Sequence, residues 1–559
     1  MRSCSLSRGF RANASGRPPV GSGWWEALAV GMLAVLVAGG CRHAKVAAQD
    51  LWVIGAREVM ERVVSEARHS DDDSHSVFQM AKAAEVMARM DRNAALELLT
   101  EAVRRTKSIP YLSRARFGGR ISAYDTVGTS AARIDPKPAL SLFETEISLA
   151  ENAPPLEGLD RAAVMTEAAS AIAAISPQAA LAQVHRMPDA HSQAGVLIAA
   201  AAAFARTNPD VAESTLRRAV RMLVAAGELD AADAGRAHIA VALVRHFPKR
   251  AARLLPTVQG DYDRDWVLSR FVAVSATRDP KQALRYARMI KDRARAAAAF
   301  LELATAHPPD AARYLGAAAG SIKPALEEAD WKAPAPVIEG VSLIAVAMAM
   351  TGQKNNALSL IGVAAARVRA RCHDKLIRRK ALILLSGAAS QASPPSARRY
   401  LEEALDGVTS DMIGLDQEHL PLDQVAGPLG ILDPGLAELC VQRLPHESKA
   451  SALFEMAKYA AGTRPTKARR WLSQGQSLEK RGGSWARAVA EAELMPHPRY
   501  ALRTVEFIYE PERTMVYLDI ADVFLSRRPG RITTAPRASD WSTTTSRAAI
   551  WSLAVVLGW

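Results

Sequence analysis

Ten prolines, each followed three residues later by an alanine, punctuate the chain from Pro136 to Ala501 and restrict its fold more than any other feature. They are Pro136, Pro177, Pro209, Pro248, Pro280, Pro308, Pro394, Pro434, Pro465 and Pro498. Successive spacings run from 28 to 41 residues, apart from one gap of 86 that has room for a unit lacking the proline. A period of that size belongs to stacked supersecondary units, because no single unit can bury its apolar face alone.

The residue before the proline is often one with a short side-chain acceptor: Asp135, Ser176, Asn208, Asp279, Ser393 and Asp433. Such a residue caps a helix by accepting from its second or third amide. Proline suits the first helical position, where its missing N–H would have had no partner. After Asp279, the residues Ala283, Leu284, Ala287 and Ile290 fall on one helical face, and a second helix follows through Arg295–Ala304. Leu453, Met456, Ala457 and Ala460 repeat the pattern. Each unit therefore reads as two helices. The fold class expected is all-α: an α-solenoid of stacked antiparallel helix pairs, roughly 30–40 residues per unit, curved like a rod around a continuous core.

Words such as Ala-Thr-Arg-Asp-Pro-Lys-Gln-Ala-Leu (276–284) make the chain resemble the bacterial α-solenoid families of the tetratricopeptide and HEAT type over roughly residues 131–526. The likeness is one of architecture. It implies protein–protein binding on a concave face.

Four segments are expected. Residues 1–48 read as an export signal, in which Arg2, Arg8, Arg11 and Arg17 precede an apolar run from Ala27 to Gly40. Val37-Ala-Gly-Gly-Cys41 resembles a lipobox, which would put a lipid on Cys41, whereas Val46-Ala-Ala48 suits ordinary cleavage before Gln49. The localisation expected is the cell envelope, with the chain lipid-anchored at Cys41, held by an uncleaved N-terminal anchor, or free after cleavage near Ala48. Residues 49–130 form an N-terminal helical segment, read as two helices up to Arg105 followed by an irregular 110–129 stretch. Residues 131–526 form the solenoid, interrupted at 321–340 and 406–434. Residues 527–559 form a Ser/Thr/Arg-rich tail with an apolar end, suited to a disordered tail, a hydrophobic plug or the product of a shifted reading frame.

Net charge is +13, of which residues 1–48 hold +5 and residues 527–559 hold +4. The long body between them is nearly neutral, so no nucleic-acid partner is expected, since that needs a dense basic face. Cys372 and Cys440 lie in different units and read as buried free thiols.

Candidate sites are few. His69, Asp71, Asp72, Asp73 and His75 crowd carboxylates between two imidazoles, in the style of a divalent metal site. The same residues also suit a helix–helix turn with a cap. Arg367, Arg369, Arg371, Lys375, Arg378, Arg379 and Lys380 form the densest basic cluster. On one helix Arg371, Lys375 and Arg378 would share a face, a candidate for an acidic partner or an anionic membrane surface, or simply a solvated face. Asp411, Asp416, Glu418, His419 and Asp423 make 406–434 the most acidic loop. Glu447-Ser448 resembles the catalytic pair of lytic transglycosylases but is followed by a repeat helix, so a first-turn position is expected for Glu447. No nucleophile elbow, zinc helix, phosphate loop or Cys-x-x-Cys occurs, and no cofactor is expected.

The function expected is a non-catalytic protein–protein scaffold of the bacterial cell envelope, partner unidentified, with its binding residues on the first helices of consecutive units or on the two long loops. The alternative is an envelope enzyme acting on a polysaccharide or peptide. It would use two carboxylates from different repeats in an aromatic-lined groove.

Overall fold

A computed structural model describes residues 55–110, 119–153, 160–409, 412–413, 419–479, 484–495, 499–508, 510–526, 549–550 and 552–553. Two layers of helices alternate along the chain. The proline-bearing layer comprises α1 (55–69), α3 (Arg92–Thr106), α5 (Pro136–Asn152), α7 (Pro177–Gln183), α9 (Pro209–Ala225), α11 (Pro248–Leu254), α13 (Pro280–Met289), α15 (Ala311–Glu328), α17 (Lys354–Arg371), α19 (Pro394–Leu405), α21 (Pro434–Arg443), α23 (Pro465–Leu478) and α25 (Arg499–Val505). Between them run α2 (Asp73–Met87), α4 (Arg120–Ile134), α6 (Arg161–Ile175), α8 (Ala190–Phe204), α10 (Leu229–Val244), α12 (Asp261–Ser275), α14 (Arg293–Ala306), α16 (Ala335–Met350), α18 (Lys375–Ser390), α20 (Leu422–Leu432), α22 (His446–Ala460), α24 (Trp485–Leu494) and α26 (Glu510–Ser526). Among the described residues, strand pairing is limited to one isolated bridge, Ile413–Leu420. The all-α, stacked helix-pair solenoid is as expected.

The proline signature has a physical meaning. All six expected caps accept from the following helix, as when Asp279 accepts from Gln282 N–H at 3.0 Å. The alanine three residues on is buried in every unit, fully so at Ala139, Ala212, Ala283, Ala397 and Ala468. A methyl group there lets the helix lie close on its partner. The long gap in the proline series holds α16 and α17, where Lys354 replaces proline and Ala357 is again fully buried.

Each even-numbered helix touches the next, from α2 to α26, and α26 returns to touch α2. The solenoid is therefore a closed ring, not an open rod. Among the described residues, the odd-numbered helices from α3 onward meet their like substantially only at α15–α17 and α19–α21. Neighbours on a ring crowd together on the inside and splay on the outside, so the even helices form the inner wall. The proline helices, first in each unit, are the outer layer.

Closure joins α1 and α2 to α25 and α26. One apolar cluster takes in Val59, Val63 and Met80 together with Tyr517, Ile520 and Phe524, all essentially buried. Arg62–Glu506 at 3.2 Å, Glu66–Arg513 at 3.5 Å and Arg89–Asp522 span the same junction. Exposed ion pairs contribute about 0–1 kcal/mol each, whereas burying one large apolar side chain is worth about 1.5–3 kcal/mol. Apolar burial thus closes the ring, and the ion pairs set its register.

Buried aspartates clamp consecutive units. Asp233 on α10 accepts from the backbone N–H groups of Gln259 and Gly260. Asp265 on α12 accepts from those of Lys291, at 3.0 Å, and Asp292, at 2.7 Å. Each orders the turn that begins the next inner helix.

Several local expectations change. Residues 51–105 do not make two helices: the described part holds three, because Asp91 caps α3 by accepting from Asn93 and Ala94 N–H. The 110–129 stretch is not irregular over its second half, where α4 buries Ile121, Tyr124, Val127 and Ala131 at helical spacing. Gly128 is required there, since a Cβ would sit 2.8 Å from the Phe143 ring. The 321–340 interruption shrinks to a turn, because α15 continues through Pro324. In the tail, Ile550 and Leu553 are fully buried and reach the inner wall at Gly387 of α18 and Leu432 of α20. Cys41 and the apolar run 27–40 lie outside the described residues. No described helix is long and apolar enough to cross a membrane.

Candidate functional site

The inner wall carries carboxylates held in a protonation-favouring environment. Asp125 on α4, Asp263 on α12, Glu339 on α16, Glu455 on α22 and Asp519 on α26 are all pushed above the usual carboxylate range, with burial the largest cause each time. Asp125 is itself exposed to solvent, as befits a group on a concave wall. Burial disfavours the charged form because ionised oxygens lose hydration.

The strongest case is Glu146. It belongs to the outer helix α5, on the face that also buries Leu142, Phe143 and Ile147, so it points inward. It is 3% exposed, and its Oε2 has no hydrogen-bond partner. Burial pushes its carboxyl up to about 9, with further contributions from Asp125 and then Glu167. Glu146 thus lies between α4 and α6, with one carboxylate on each side. Glu167 is exposed on α6 and also lines a recess of roughly 740 Å³ at the starts of α6, α8 and α10. Asp160, Asp189, His191 and Glu228 share that recess. Asp160 and Asp189 are caps, accepting from Ala163 N–H at 3.0 Å and Ser192 N–H at 2.7 Å. Glu228 is paired with His191. Further round the wall, Trp266 of α12 meets His238 of α10 edge-on at 4.8 Å, and Arg295 covers the exposed Tyr262 ring at 4.3 Å.

The sites singled out in the sequence have structural surroundings. Asp72 caps α2, accepting from Ser74 N–H at 2.8 Å and His75 N–H at 3.2 Å. Asp73 accepts from Ser108 Oγ at 2.7 Å, and Asp71 is exposed beside the cap. His69 Nδ1 donates to Ser65 O at 2.7 Å, and His75 Nε2 lies 2.5 Å from Gln79 Nε2. Among the described residues no three His, Cys, Asp or Glu side chains form a group able to hold a metal ion.

The Arg371, Lys375 and Arg378 stripe is not one helical face. Arg371 ends α17 and Lys375 begins α18, because Asp374 caps α18 by accepting from Leu376 and Ile377 N–H. Arg371 and Arg367 both bind Glu327, Arg369 grips Glu403 through two 2.7 Å hydrogen bonds, and Lys380 is buried. Much of the cluster therefore joins neighbouring units. Lys375 stays exposed, and Arg378 is half-buried.

Cys372 and Cys440 are free and buried, and burial pushes the Cys440 thiol up to about 12. Glu447 falls in the first turn of α22. Of the acidic stretch, Asp411, Asp416 and Glu418 lie outside the described residues, while Asp423 falls in the first turn of α20, which takes up much of the expected 406–434 interruption, and accepts from Ser451 Oγ at 3.3 Å. Sequence inspection missed Asp125, Glu146 and Glu167, which sit 20 or so residues apart with no local motif. The one signal available was Glu146 itself, a carboxylate amid the apolar stripe Leu142, Phe143 and Ile147.

No protein family matches the chain, and no curated protein does. Among solved structures it is similar to a circular tandem repeat protein with novel repeat topology and enhanced subunit contact surfaces, at 14% identity over 92% of this chain and 100% of that one, with a TM-score of 0.12. A superposition that poor carries no argument, and the closed ring rests on the contacts of this chain alone. The fold defines a tandem-repeat helical protein of the architecture typical of protein–protein interaction scaffolds.

Proposed function

We propose that the chain is a non-catalytic interaction scaffold of the bacterial cell envelope that holds a segment of a partner protein against the inner wall of its ring. The observation that carries this is the unbroken circuit of inner helices, which lines up side chains from many units along one continuous wall. Export under the 1–48 signal, with attachment through Cys41 or release after Ala48, belongs to the same proposal. The test is capture of partners by residues 49–559 from envelope extract, with the inner-wall variant Asp125→Lys/Glu167→Lys beside the outer-surface variant Lys375→Glu. A partner lost with the first and kept with the second supports the proposal. Equal capture by both, or none, refutes it.

The alternative, an envelope hydrolase, draws support from Glu146, a carboxyl protonated at neutral pH beside two others, the division that acid–base pairs require. Against it, the exposed aromatic face of the wall, Tyr262 and Trp266, belongs to α12, three inner helices beyond α6. Turnover of envelope glycan fragments that disappears in Glu146→Gln would favour the hydrolase.

A further inference from the structure

We infer that the seam between α4 and α6 is a docking site for one lysine ammonium of the partner segment, with Asp125, Glu146 and Glu167 as its three carboxylate acceptors. The inference rests on the scaffold proposal and names the chemistry of its partner. Three observations point to it. Glu146 is buried at 3% exposure with Oε2 unpartnered, and a buried acceptor left without a donor is a standing cost. Asp125 and Glu167 flank it from the two inner helices on which α5 packs. Among the described residues neither flanking side chain has an ion pair: Asp125 accepts a hydrogen bond from Thr129, and Lys82 of α2, whose charge also acts on Asp125, is held by Glu85 at 2.9 Å.

The missing partner must bring donors and positive charge. An ammonium offers three donors on a slender stem and suits a narrow seam between helices better than a planar guanidinium. Glu146 is the buried member of the three, and burial together with the two exposed carboxylates beside it keeps a proton on it in the empty site. Docking changes that balance. The ammonium enters with its charge, the Glu146 carboxyl gives its proton to solvent, and no other bond forms or breaks. The charged groups facing Glu146 are Asp125 from α4 and Glu167 from α6, with Lys82 beyond Asp125. Binding is therefore coupled to proton release and tightens as pH rises toward 9.

The experiment is titration calorimetry of the full chain with hexalysine at pH 7, repeated in buffers of different protonation enthalpy. The expected result is saturable binding with release of about one proton per site. Glu146→Gln should abolish the release, and Asp125→Asn or Glu167→Gln should weaken binding about tenfold while keeping it. Circular dichroism confirms that each variant is folded. If Glu146→Gln does not fold, release that falls in step with binding in the other two variants supports the site. No binding at millimolar hexalysine, or proton release unchanged in folded Glu146→Gln, overturns it. Spermidine binding as tightly as hexalysine, with the same release, would overturn the assignment to a partner lysine in favour of a free polyamine. A captured partner whose retention ignores all three substitutions would retire this site yet leave the scaffold proposal standing.

Discussion

Replacing Glu146 by glutamine removes one ionisation from the ring's interior while keeping the size and shape of the side chain, and its effect on stability depends on pH. Burial pushes the folded carboxyl up to about 9, against 4.5 for an unperturbed glutamate. A raised acid pKa means that the folded state holds a proton the unfolded chain has lost. The contribution to stability is thus complete below about pH 4.5 and declines as pH rises toward 9. Each pH unit in that window is worth at most 1.36 kcal/mol, so between pH 4.5 and pH 7 the wild-type chain loses about 3 kcal/mol that Glu146→Gln keeps. Denaturant unfolding of both proteins from pH 4.5 to pH 8, followed by circular dichroism, gives the comparison. The difference between them, not either curve alone, reports Glu146, because other titrating groups cancel. Curves that stay parallel across the range would refute the claim that this carboxyl is buried and protonated.

Other consequences follow from the packing. Asp265→Ala strips two backbone N–H groups of their shared acceptor and should cost about 2–3 kcal/mol, read as a lower denaturation midpoint. Thr514→Val removes the hydroxyl that meets the Gln79 side-chain amide across the ring junction, where both residues are buried, and should cost about 1–3 kcal/mol. Arg89→Glu, at an exposed pair in the same junction, should cost under about 1 kcal/mol. Gly387→Leu should dislodge the tail, since even a Cβ there sits 3.0 Å from a Leu553 methyl; a cysteine substituted for Leu553 would then react with a thiol reagent that it otherwise excludes. Cys440 should resist the same reagent at pH 8 until the chain unfolds, its thiol being fully buried and pushed up to about 12.

The layers of this fold were legible because their causes are local. A cap such as Asp279, a proline at the first position and a small residue at Ala283 act within one helical turn, so a single sequence displays them in order. The break at Asp91 was less visible, because Val77–Arg105 keeps helical periodicity across it and only the cap marks the turn. Ring closure has no local signature at all. It depends on small rotations between successive units, summed over the whole chain, and on the meeting of Val63 with residues such as Phe524 more than 400 positions away. The carboxylate cluster was hidden for the same reason, since Asp125, Glu146 and Glu167 come together only when α5 packs across α4 and α6.

The raised carboxyls of this chain owe their character to packing and not to its net charge of +13. Many of its arginines are outer-layer or rim residues paired between units, as with Arg369 and Glu403 or Arg186 and Glu151. On the inner helices, Asp125, Asp263, Glu339, Glu455 and Asp519 are raised first by burial, and nearby carboxylates such as Glu167, Asp233, Asp423 and Asp522 add to it at four of the five. An open rod of the same sequence would keep the contacts between adjacent helices that bury these groups, and so would keep most of the effect. The raised carboxyls are thus a property of packing between neighbouring helices, and a variant that opens the α2–α26 junction should bring Asp519 of α26 back toward its ordinary range while leaving Glu339 of α16 raised.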